Sequence, residues 1–308
     1  MRIAIIGAGM AGLSCAHALL AHGHGVMLFD KGRGPGGRMS TRRIATPRSE
    51  IAFDHGAQYF TARDPAFVAQ VADWERSGLV APWTAAGDGA WVGTPSMNAP
   101  IREMAASVDV RWQSRIDALL LDGDWHLQGE NTPDEAFDVV VVAVPAEQVS
   151  ALIDAQDPEM AGQARSVRSD PCWTAMVAFD GPVHFGNDCV RDAGIIGWAA
   201  RNSAKPGRSG PEAWVVQASP DWSRTHIEDE STTVEKALLG AFEEIVGKVL
   251  PPRLVSGVHR WRYARSGTLG VDALWSQNRS LGVCGDWLLG PRIEAAWLSG
   301  HRLAAIIG

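Results

Sequence analysis

The sequence predicts an α/β fold in which a parallel sheet with flanking helices is interrupted by an inserted α+β domain. Two observations predict this arrangement. A strand, a glycine-rich turn, a helix and a second strand follow one another at the start of the chain. A short apolar strand and a helix also end the chain, whereas the middle mixes strand-like and helical patterns. We therefore expect one sheet to be assembled from both ends of the chain.

The first unit has the pattern of a strand, a helix and a second strand. Residues 3–6 are a continuous apolar run, as expected for a strand buried in a parallel sheet. Residues 13–21 have helical periodicity, and the glycines that follow end the helix. Residues 26–29 form a second apolar run that ends at Asp30. Together they form a βαβ unit of about 30 residues.

The remaining patterns predict further elements and a division into two domains. The expected elements are a loop over 31–48, a helix over 97–107, two strands over 108–127 around a turn at 122–124, a strand over 137–144, strands over 173–179 and 213–218, a helix over 232–246, a strand over 282–284 and a helix over 293–307. A surface loop is expected over 203–210. The expected domains are 1–63 with 97–152 and 270–308, and an inserted domain of 64–96 with 153–269.

Composition and charge exclude several classes of protein. With 46% hydrophobic and 20% charged residues, the chain is not disordered. No apolar run reaches the roughly 18 residues that a membrane span needs. The net charge of −7 argues against a nucleic-acid-binding role. Residues 1–63 nevertheless carry eight basic and three acidic side chains, a net +5, and none of the 13 Trp. This basic start favours an anionic ligand.

The four cysteines indicate a reducing compartment. Cys15, Cys172, Cys189 and Cys284 form no CxxC pair, and their spacing fits neither a zinc site nor a disulfide framework. Glycines interrupt the N-terminal apolar run, which is unlike a signal peptide. We therefore expect a cytoplasmic protein without a metal site.

Three glycines after the first strand predict a dinucleotide site. Gly7 allows the tight turn, Gly9 lets a pyrophosphate approach the backbone, and Gly12 lets the helix pack on the strand. The phosphates are expected at the helix N-terminus, where N–H groups and the helix dipole favour anions. Asp30 lies 18 residues beyond Gly12, at a position from which it can accept hydrogen bonds from a ribose.

Later segments favour FAD over NAD as the dinucleotide. Residues 33–38 place a cationic loop beside it, and Arg38 has the planar fork that pairs with a pyrophosphate. Gly56 and Ala57 provide a backbone that can lie close to a flat ring. Asp286 can bind a polyol, and the helix that begins near residue 291 can stabilise negative charge on a reduced isoalloxazine.

Two other classes of dinucleotide-binding enzyme are alternatives to this interpretation. A pyridine-nucleotide-disulfide reductase needs a second glycine fingerprint and a redox Cys pair. The glycines of residues 87–93 follow no apolar strand and read as a loop, and the Cys pair is missing. A flavin hydroxylase shares the fold but needs NAD(P)H to reduce its flavin, and this alternative stays open.

Seven segments together resemble FAD-containing oxidoreductases of the amine-oxidase superfamily, and most closely the bacterial form of the renalase family. The resemblance covers nearly the whole chain. Its segments are FDKGRGPGGRMSTRR (29–43), FDHGAQYFTARD (53–64), WVGTPSMNAP (91–100), FDVVVVAVP (137–145), GWAARNSAKP (197–206), HRWRYAR (259–265) and GVCGDWLLGPRIEAAWLSG (282–300).

The resemblance implies a Rossmann-type FAD-binding domain, an inserted substrate domain and noncovalent FAD. The architecture is that of amine oxidases and p-hydroxybenzoate hydroxylase. The expected flavin contacts are Gly7, Gly9, Met10, Ala11, Gly12, Asp30, Lys31, Gly37, Arg38, Met39, Gly56, Ala57, Gln58, Tyr59, Ile116, Gly285, Asp286, Arg292 and Ile293. For Ile116, ordinary strand core is an equal alternative.

The resemblance also implies a reaction: oxidation of 2- and 6-dihydro isomers of NAD(P) to NAD(P)+, with O2 reduced to H2O2. Loss of hydride from a dihydropyridine gives an aromatic cation directly, so no general base is required. Catalysis then depends on orienting the substrate over flavin N5. We expect no catalytic His–Asp pair, and we interpret His55 as structural. An amine oxidase and a non-enzymatic flavin or dinucleotide sensor are the alternatives.

Orientation of the substrate calls for flat surfaces and a phosphate anchor. The aromatic candidates lie in segments similar to the family's, and aromatic faces favour a nicotinamide cation. Two cations in GWAARNSAKP are candidates for the substrate pyrophosphate. The candidate substrate residues are Trp173, Trp198, Arg201, Lys205, Trp261 and Tyr263. Core packing for each Trp, and a solvated loop for the two cations, are the alternatives.

Overall fold

The computed structural model describes residues 1–47 and 49–308, so Arg48 of the predicted loop lies outside the described residues. The strands are β1 (Arg2–Ile6), β2 (Gly25–Asp30), β3 (Thr41–Ala45), β4 (Glu50–Asp54), β5 (Phe60–Thr61), β6 (Val80–Pro82), β7 (Ala90–Gly93), β8 (Asp109–Trp112), β9 (Arg115–Asp122), β10 (Asp124–Glu130), β11 (Val139–Val142), β12 (Ser169–Phe179), β13 (Cys189–Ala193), β14 (Ile196–Arg201), β15 (Glu212–Ala218), β16 (Arg253–Ser266), β17 (Leu274–Ser276) and β18 (Leu281–Val283). The helices are α1 (Met10–Ala21), α2 (Pro65–Arg76), α3 (Ala99–Ala106), α4 (Ala146–Ile153), α5 (Pro158–Ser166), α6 (Pro220–Thr225), α7 (Ser231–Val246), α8 (Asp286–Leu289) and α9 (Ile293–Ile307).

The two ends of the chain share one six-stranded sheet, as predicted. Its order is β17-β18-β11-β1-β2-β8, and all neighbours are parallel except the pair β17 and β18. Alternate residues of β1 are buried on opposite faces: Ile3 and Ile5 in the cluster that contains α1 and α9, and Ala4 and Ile6 in the cluster that contains α4 and α5. Burial on both faces explains why this strand is a continuous apolar run.

A second, antiparallel sheet occupies the middle of the chain. Its five strands have the order β13-β14-β15-β12-β16. One face packs against α7, where the rings of Trp214 and Phe242 lie 4.8 Å apart. The opposite face packs against the β3–β4 hairpin, where Phe53 contacts a cluster that includes Met176 and Val215. The side chains of each strand therefore alternate between the α7 face and the hairpin face.

Two local predictions of secondary structure are wrong. The predicted loop over 31–48 contains β3, which pairs antiparallel with β4. The apolar alternation of β3 is masked because two arginines, Arg42 and Arg43, precede its one large apolar residue, Ile44. The two strands expected over 108–127 are three, since β8 joins the first sheet beside β2 while only β9 and β10 form the hairpin. The turn of that hairpin lies at Gly123, as predicted.

The predicted division into two domains stays a prediction, and the packing refines its boundaries. Helix α5 lies within the predicted inserted domain, but its buried residues Met160, Ala161 and Ala164 belong to the core of the first sheet. The antiparallel sheet itself begins at Ser169. Among residues 1–47 and 49–308, no helix combines the length and the apolar character needed to cross a bilayer.

Candidate active site

The glycine-rich turn after β1 leaves the start of α1 open. A Cβ at Gly12 would lie 2.0 Å from the carbonyl oxygen of Gly7, and one at Gly7 would lie 2.5 Å from that of Ala143. A Cβ at Gly9 would meet nothing within 4 Å, and no side chain caps the helix that begins at Met10. Gly7 and Gly12 are therefore required by the protein's own packing, whereas Gly9 borders open space at a helix N-terminus.

Asp30 lies at the end of β2 beside this turn. Its Oδ2 accepts a hydrogen bond of 2.8 Å from the backbone N–H of Ala8, and its Oδ1 accepts one of 2.7 Å from Gly32. These bonds fix the carboxylate beside the turn, and each oxygen retains capacity for a further donor. The position fits the predicted contact with a ribose.

Arg38 and Asp286 join the two ends of the chain. The guanidinium donates hydrogen bonds of 2.8 and 2.5 Å to the two carboxylate oxygens, and the Ser266 hydroxyl donates a third of 3.0 Å. The Asp286 side chain is buried, whereas about a third of the Arg38 side chain is exposed. Two predicted cofactor residues are thus brought together, with part of the guanidinium still accessible to an anion.

The turn at Gly56 lies against Arg38. The Ala57 N–H donates a 2.8 Å hydrogen bond to the Arg38 carbonyl, and a Cβ at Gly56 would lie 2.1 Å from that same oxygen. Gln58 braces the turn by donating from Nε2 to the carbonyl oxygens of Asp54 and Gly56, at 2.5 and 3.0 Å. The close approach required of Gly56 therefore comes from the Arg38 backbone.

The remaining predicted cofactor residues differ in their surroundings. Lys31 donates to Gln148 at 3.0 Å, and Arg292 pairs with Glu294 at 3.1 Å. Helix α9 begins at Ile293 without a side-chain cap. Ile116 is buried in the core of the first sheet, as its alternative interpretation required. These features together fit a dinucleotide flavin: the uncapped N-terminus of α1, the carboxylate of Asp30, the accessible guanidinium of Arg38 and the turn at Gly56.

A row of five side chains crosses the antiparallel sheet on its hairpin face. Successive neighbours pair directly across the strands, so that their side chains point to one face. The row, from edge to edge, is Arg191, Trp198, Gln217, Thr174 and His259. Its central member, Gln217, contacts the turn at Gly56, because its Nε2 donates a 2.8 Å hydrogen bond to the carbonyl oxygen of Gly56.

Aromatic rings extend this surface at both ends. At one end the ring of Tyr59 lies 5.3 Å from that of Trp198. At the other, Trp261 Nε1 donates a 3.0 Å hydrogen bond to the His55 carbonyl, and the Trp261 ring lies 3.5 Å from the Cβ position of Gly56. Tyr59, predicted as a cofactor contact, thus also borders the predicted substrate surface.

The two histidines beside Trp261 are neutral at pH 7. Burial, with smaller contributions from His259 and Arg42, lowers the pKa of His55 to about 4. Burial and then Arg42 also lower the pKa of His259. The two imidazole rings lie 4.9 Å apart in an edge-to-face arrangement. They present an uncharged surface beside the flavin turn.

Three predicted substrate residues lie away from this surface. Trp173 points to the α7 face, where its Nε1 donates to the His226 carbonyl at 2.9 Å. Arg201 lies over Trp214 on that same face and pairs with two carboxylates, Asp188 and Glu212. The interpretations of Trp173 as a ring contact and of Arg201 as a phosphate anchor are therefore wrong, because strand alternation points both away.

Lys205 is the buried exception in the segment 203–210, whose residues 204, 207, 209 and 210 are exposed as a surface loop predicts. Its side chain has no exposed area, and its Nζ lies 3.4 Å from Asp54 Oδ2 and 3.1 Å from Gln58 Oε1. Burial lowers the pKa of Lys205 to about 8, although Asp54 opposes the shift. Burial would raise the pKa of Asp54, but Lys205 and Arg208 outweigh it and bring that pKa to about 2. Through Gln58, Lys205 supports the turn at Gly56. Because its side chain has no exposed area, it cannot contact a substrate phosphate.

Sequence reasoning missed Thr174, Gln217, Arg191 and His259. His259 lies in the segment HRWRYAR but was not singled out, and the other three lie in no motif. What unites the four is the register between strands far apart in the chain. Trp198 and Trp261 were found through the resemblance, and both lie on the surface around the turn. Tyr263 follows Trp261 within the part of β16 where the register against β12 is interrupted, so strand alternation does not assign its face.

Comparison with known families agrees with this geometry. Residues 5–73 match the NAD(P)-binding Rossmann-like domain, and residues 72–308 match the family of flavin containing amine oxidoreductases. The chain belongs to the flavin-containing amine oxidoreductase family. FAD is therefore its cofactor, and this oxidoreductase carries out FAD-dependent chemistry.

Individual proteins resemble the chain in sequence or in fold. It is 22% identical to renalase of Mus musculus over 297 residues, which cover 86% of this chain and 85% of that protein, and it is renalase-like in this sense. A candidate protoporphyrinogen oxidase from Exiguobacterium sp. 255-15 has the same fold, with a TM-score of 0.79, 12% identity and coverage of 99% and 98%. Cyclohexylamine oxidase from Brevibacterium oxydans IH-35A gives a TM-score of 0.72, with the same identity and coverage.

Proposed function

We propose that this oxidoreductase converts 2- and 6-dihydro isomers of NAD(P) to NAD(P)+, with O2 reduced to H2O2. The substrate loses a hydride, O2 receives the two electrons, and a solvent proton completes the peroxide. The observation that carries the proposal is the charge of the row across the antiparallel sheet: it contains no carboxylate and ends in Arg191. An ammonium substrate would find no counter-ion in this row, whereas an anionic dinucleotide would find a cation.

The residues that fit FAD have distinct roles in the proposal. The open helix end after Gly9 holds the pyrophosphate, and Asp30 holds the ribose. Arg38, held in place by Asp286, would offer its accessible part to the anionic centre of the molecule, and the turn at Gly56 would border its ring. When bound, FAD accepts the hydride and delivers the electrons to O2.

The protein's own side chains orient the substrate. Trp198 and Trp261 offer flat surfaces on either side of Gln217, and their faces stabilise the positive charge that develops on the pyridine ring. The Nε1 atom of Trp198 is buried and has no hydrogen-bond partner in the described part of the chain. A carboxamide oxygen of the substrate would satisfy this donor.

The neutral histidines complete the electrostatics of the site. Because His55 and His259 are uncharged at neutral pH, they do not oppose a developing nicotinamide cation. No proton is removed from carbon in this reaction, so the absence of a charged base from the row is compatible with turnover. The aromatic surface contributes to catalysis by orienting the substrate, and it does not need to transfer a proton.

Anaerobic stopped-flow reduction of the FAD-loaded enzyme tests the proposal. The panel comprises 2-dihydro-NAD, 6-dihydro-NAD, ordinary NADH, cyclohexylamine and putrescine. We expect at least one of the first two to reduce the flavin faster than NADH or either amine. Equal or faster reduction by an amine would establish an amine oxidase instead. Full FAD occupancy without reduction by any member would favour a flavin-dependent sensor.

A further inference from the structure

Arg191 lies at the outer end of the row and is held against aromatic rings. It sits directly opposite Trp198 across β13 and β14. Its guanidinium carbon lies 4.6 Å from the centre of the Trp198 ring and 5.8 Å from that of Tyr59. Cation–π contacts of this kind restrict the movement of the guanidinium and leave its remaining N–H groups free to donate.

The charge of Arg191 is not neutralised within residues 1–47 and 49–308. Its Nη2 donates to the backbone carbonyl of Ala86, and it takes part in no ion pair there. Arg201 is the contrasting case on the neighbouring strand, since Asp188 and Glu212 both pair with it. Arg191 therefore combines restricted movement, unused donors and an uncompensated positive charge.

The position of Arg191 relates it to the flavin turn. Gln217, which binds the Gly56 carbonyl, lies two strands from Arg191 in the same row, a distance of about 10 Å at the usual strand spacing. Trp198 lies between them. A substrate whose ring lies near the turn and whose phosphates lie beyond Trp198 would reach the guanidinium edge.

We propose that Arg191 binds the diphosphate of the dinucleotide substrate and so selects anionic dinucleotides over amines. This inference rests on the proposed function and assigns Arg191 the role that the sequence suggested for Arg201 and Lys205. A planar guanidinium can donate two parallel hydrogen bonds to phosphate oxygens. Its uncompensated positive charge also repels an alkylammonium.

The test compares Arg191→Gln with Arg191→Lys and with a matched control, Arg262→Gln. Arg262 is on the same sheet but pairs with exposed Glu228, so its loss removes one positive charge elsewhere. Two reductants are used anaerobically on the FAD-loaded enzymes: 6-dihydro-NAD and the phosphate-free riboside of dihydronicotinamide. Binding of NAD+ is measured separately by titration of the flavin absorbance, a readout that needs no turnover.

We expect Arg191→Gln to weaken NAD+ binding by about 10- to 100-fold, the range for loss of a charge-assisted contact. The apparent affinity for 6-dihydro-NAD should fall equally, while the riboside is unaffected. Arg191→Lys should recover part of the loss, and Arg262→Gln should match wild type. Equal losses for dinucleotide and riboside, or no loss for either, would overturn the assignment. If wild type is reduced by neither compound, the proposed function fails, whereas tight NAD+ binding that depends on Arg191 would still support the phosphate contact.

Discussion

Gln217 donates a hydrogen bond of 2.8 Å to the carbonyl oxygen of Gly56, and this bond joins the antiparallel sheet to the turn that borders the flavin. The same carbonyl accepts a second bond from Gln58 at 3.0 Å. Lys205 in turn contacts the Gln58 side chain from below. The turn is therefore held from two sides, and under the proposed function this would fix a substrate on the sheet relative to a flavin at the turn.

Replacement of Gln217 tests this link. In Gln217→Leu the Gly56 carbonyl keeps one of its two donors, so we expect a modest effect of about 1 kcal/mol, or roughly fivefold weaker FAD binding. Isothermal titration of the apoprotein with FAD measures it. Gln128→Leu, which removes an exposed glutamine from β10, is the control and should bind FAD like wild type. Equal affinity for both variants would show that the hydrogen bond does not position the turn.

Substitutions of two glycines in the first turn should affect FAD binding and folding differently. A methyl group at position 9 meets no protein atom, so Gly9→Ala should fold normally but bind FAD about tenfold or more weakly, because the methyl occupies space needed by the pyrophosphate. Gly12→Ala should instead lower the free energy of unfolding by several kcal/mol, since its Cβ would lie 2.0 Å from the Gly7 carbonyl.

The matched control for these variants is Gly162→Ala. That glycine lies within α5, and a Cβ there also meets nothing within 4 Å. It should raise stability by about 0.5–1 kcal/mol and leave FAD affinity unchanged. Urea denaturation and FAD titration of the three variants are the measurements. Normal FAD affinity in Gly9→Ala would contradict the placement of the pyrophosphate.

Two tryptophans on opposite faces of the antiparallel sheet should respond differently to Trp→Phe substitution. Trp173→Phe loses the hydrogen bond to His226 in the core, and we expect about 1–2 kcal/mol less stability with unchanged reduction kinetics. Trp261→Phe loses the bond to His55 beside the flavin turn, and we expect slower reduction by dihydro-NAD isomers. The two readouts are urea denaturation and stopped-flow absorbance. Slower kinetics in Trp173→Phe alone would reverse the assignment of faces.

The cofactor half was more predictable than the substrate half for a physical reason. Gly7, Gly12 and Asp30 are fixed by local strand–turn–helix geometry, which a short stretch of sequence encodes. Arg191 and Gln217 meet only through the register between strands, which depends on tertiary packing. Strand alternation likewise decides which tryptophans lie on the same face as the turn at Gly56. This alternation cannot be assigned until the register is known.

The buried Lys205 should produce a stability rise at alkaline pH. Its pKa is about 8 in the folded protein against 10.5 when exposed, so the unfolded chain binds more protons between these values. The free energy of unfolding should therefore increase with pH across this window, by up to about 3 kcal/mol from this group. Below pH 8 the group is protonated in both states and its contribution is constant.

Lys205→Met isolates that contribution because methionine fills similar volume without a titrating group. The difference in unfolding free energy between wild type and Lys205→Met, measured in urea at saturating FAD from pH 7.5 to 10, should change in favour of wild type as the pH rises. Lys236→Met, at an exposed position of α7, provides the control for loss of a lysine elsewhere. Parallel pH profiles for wild type and Lys205→Met would show that Lys205 keeps an ordinary pKa, and hence that Asp54 and Gln58 compensate its burial fully.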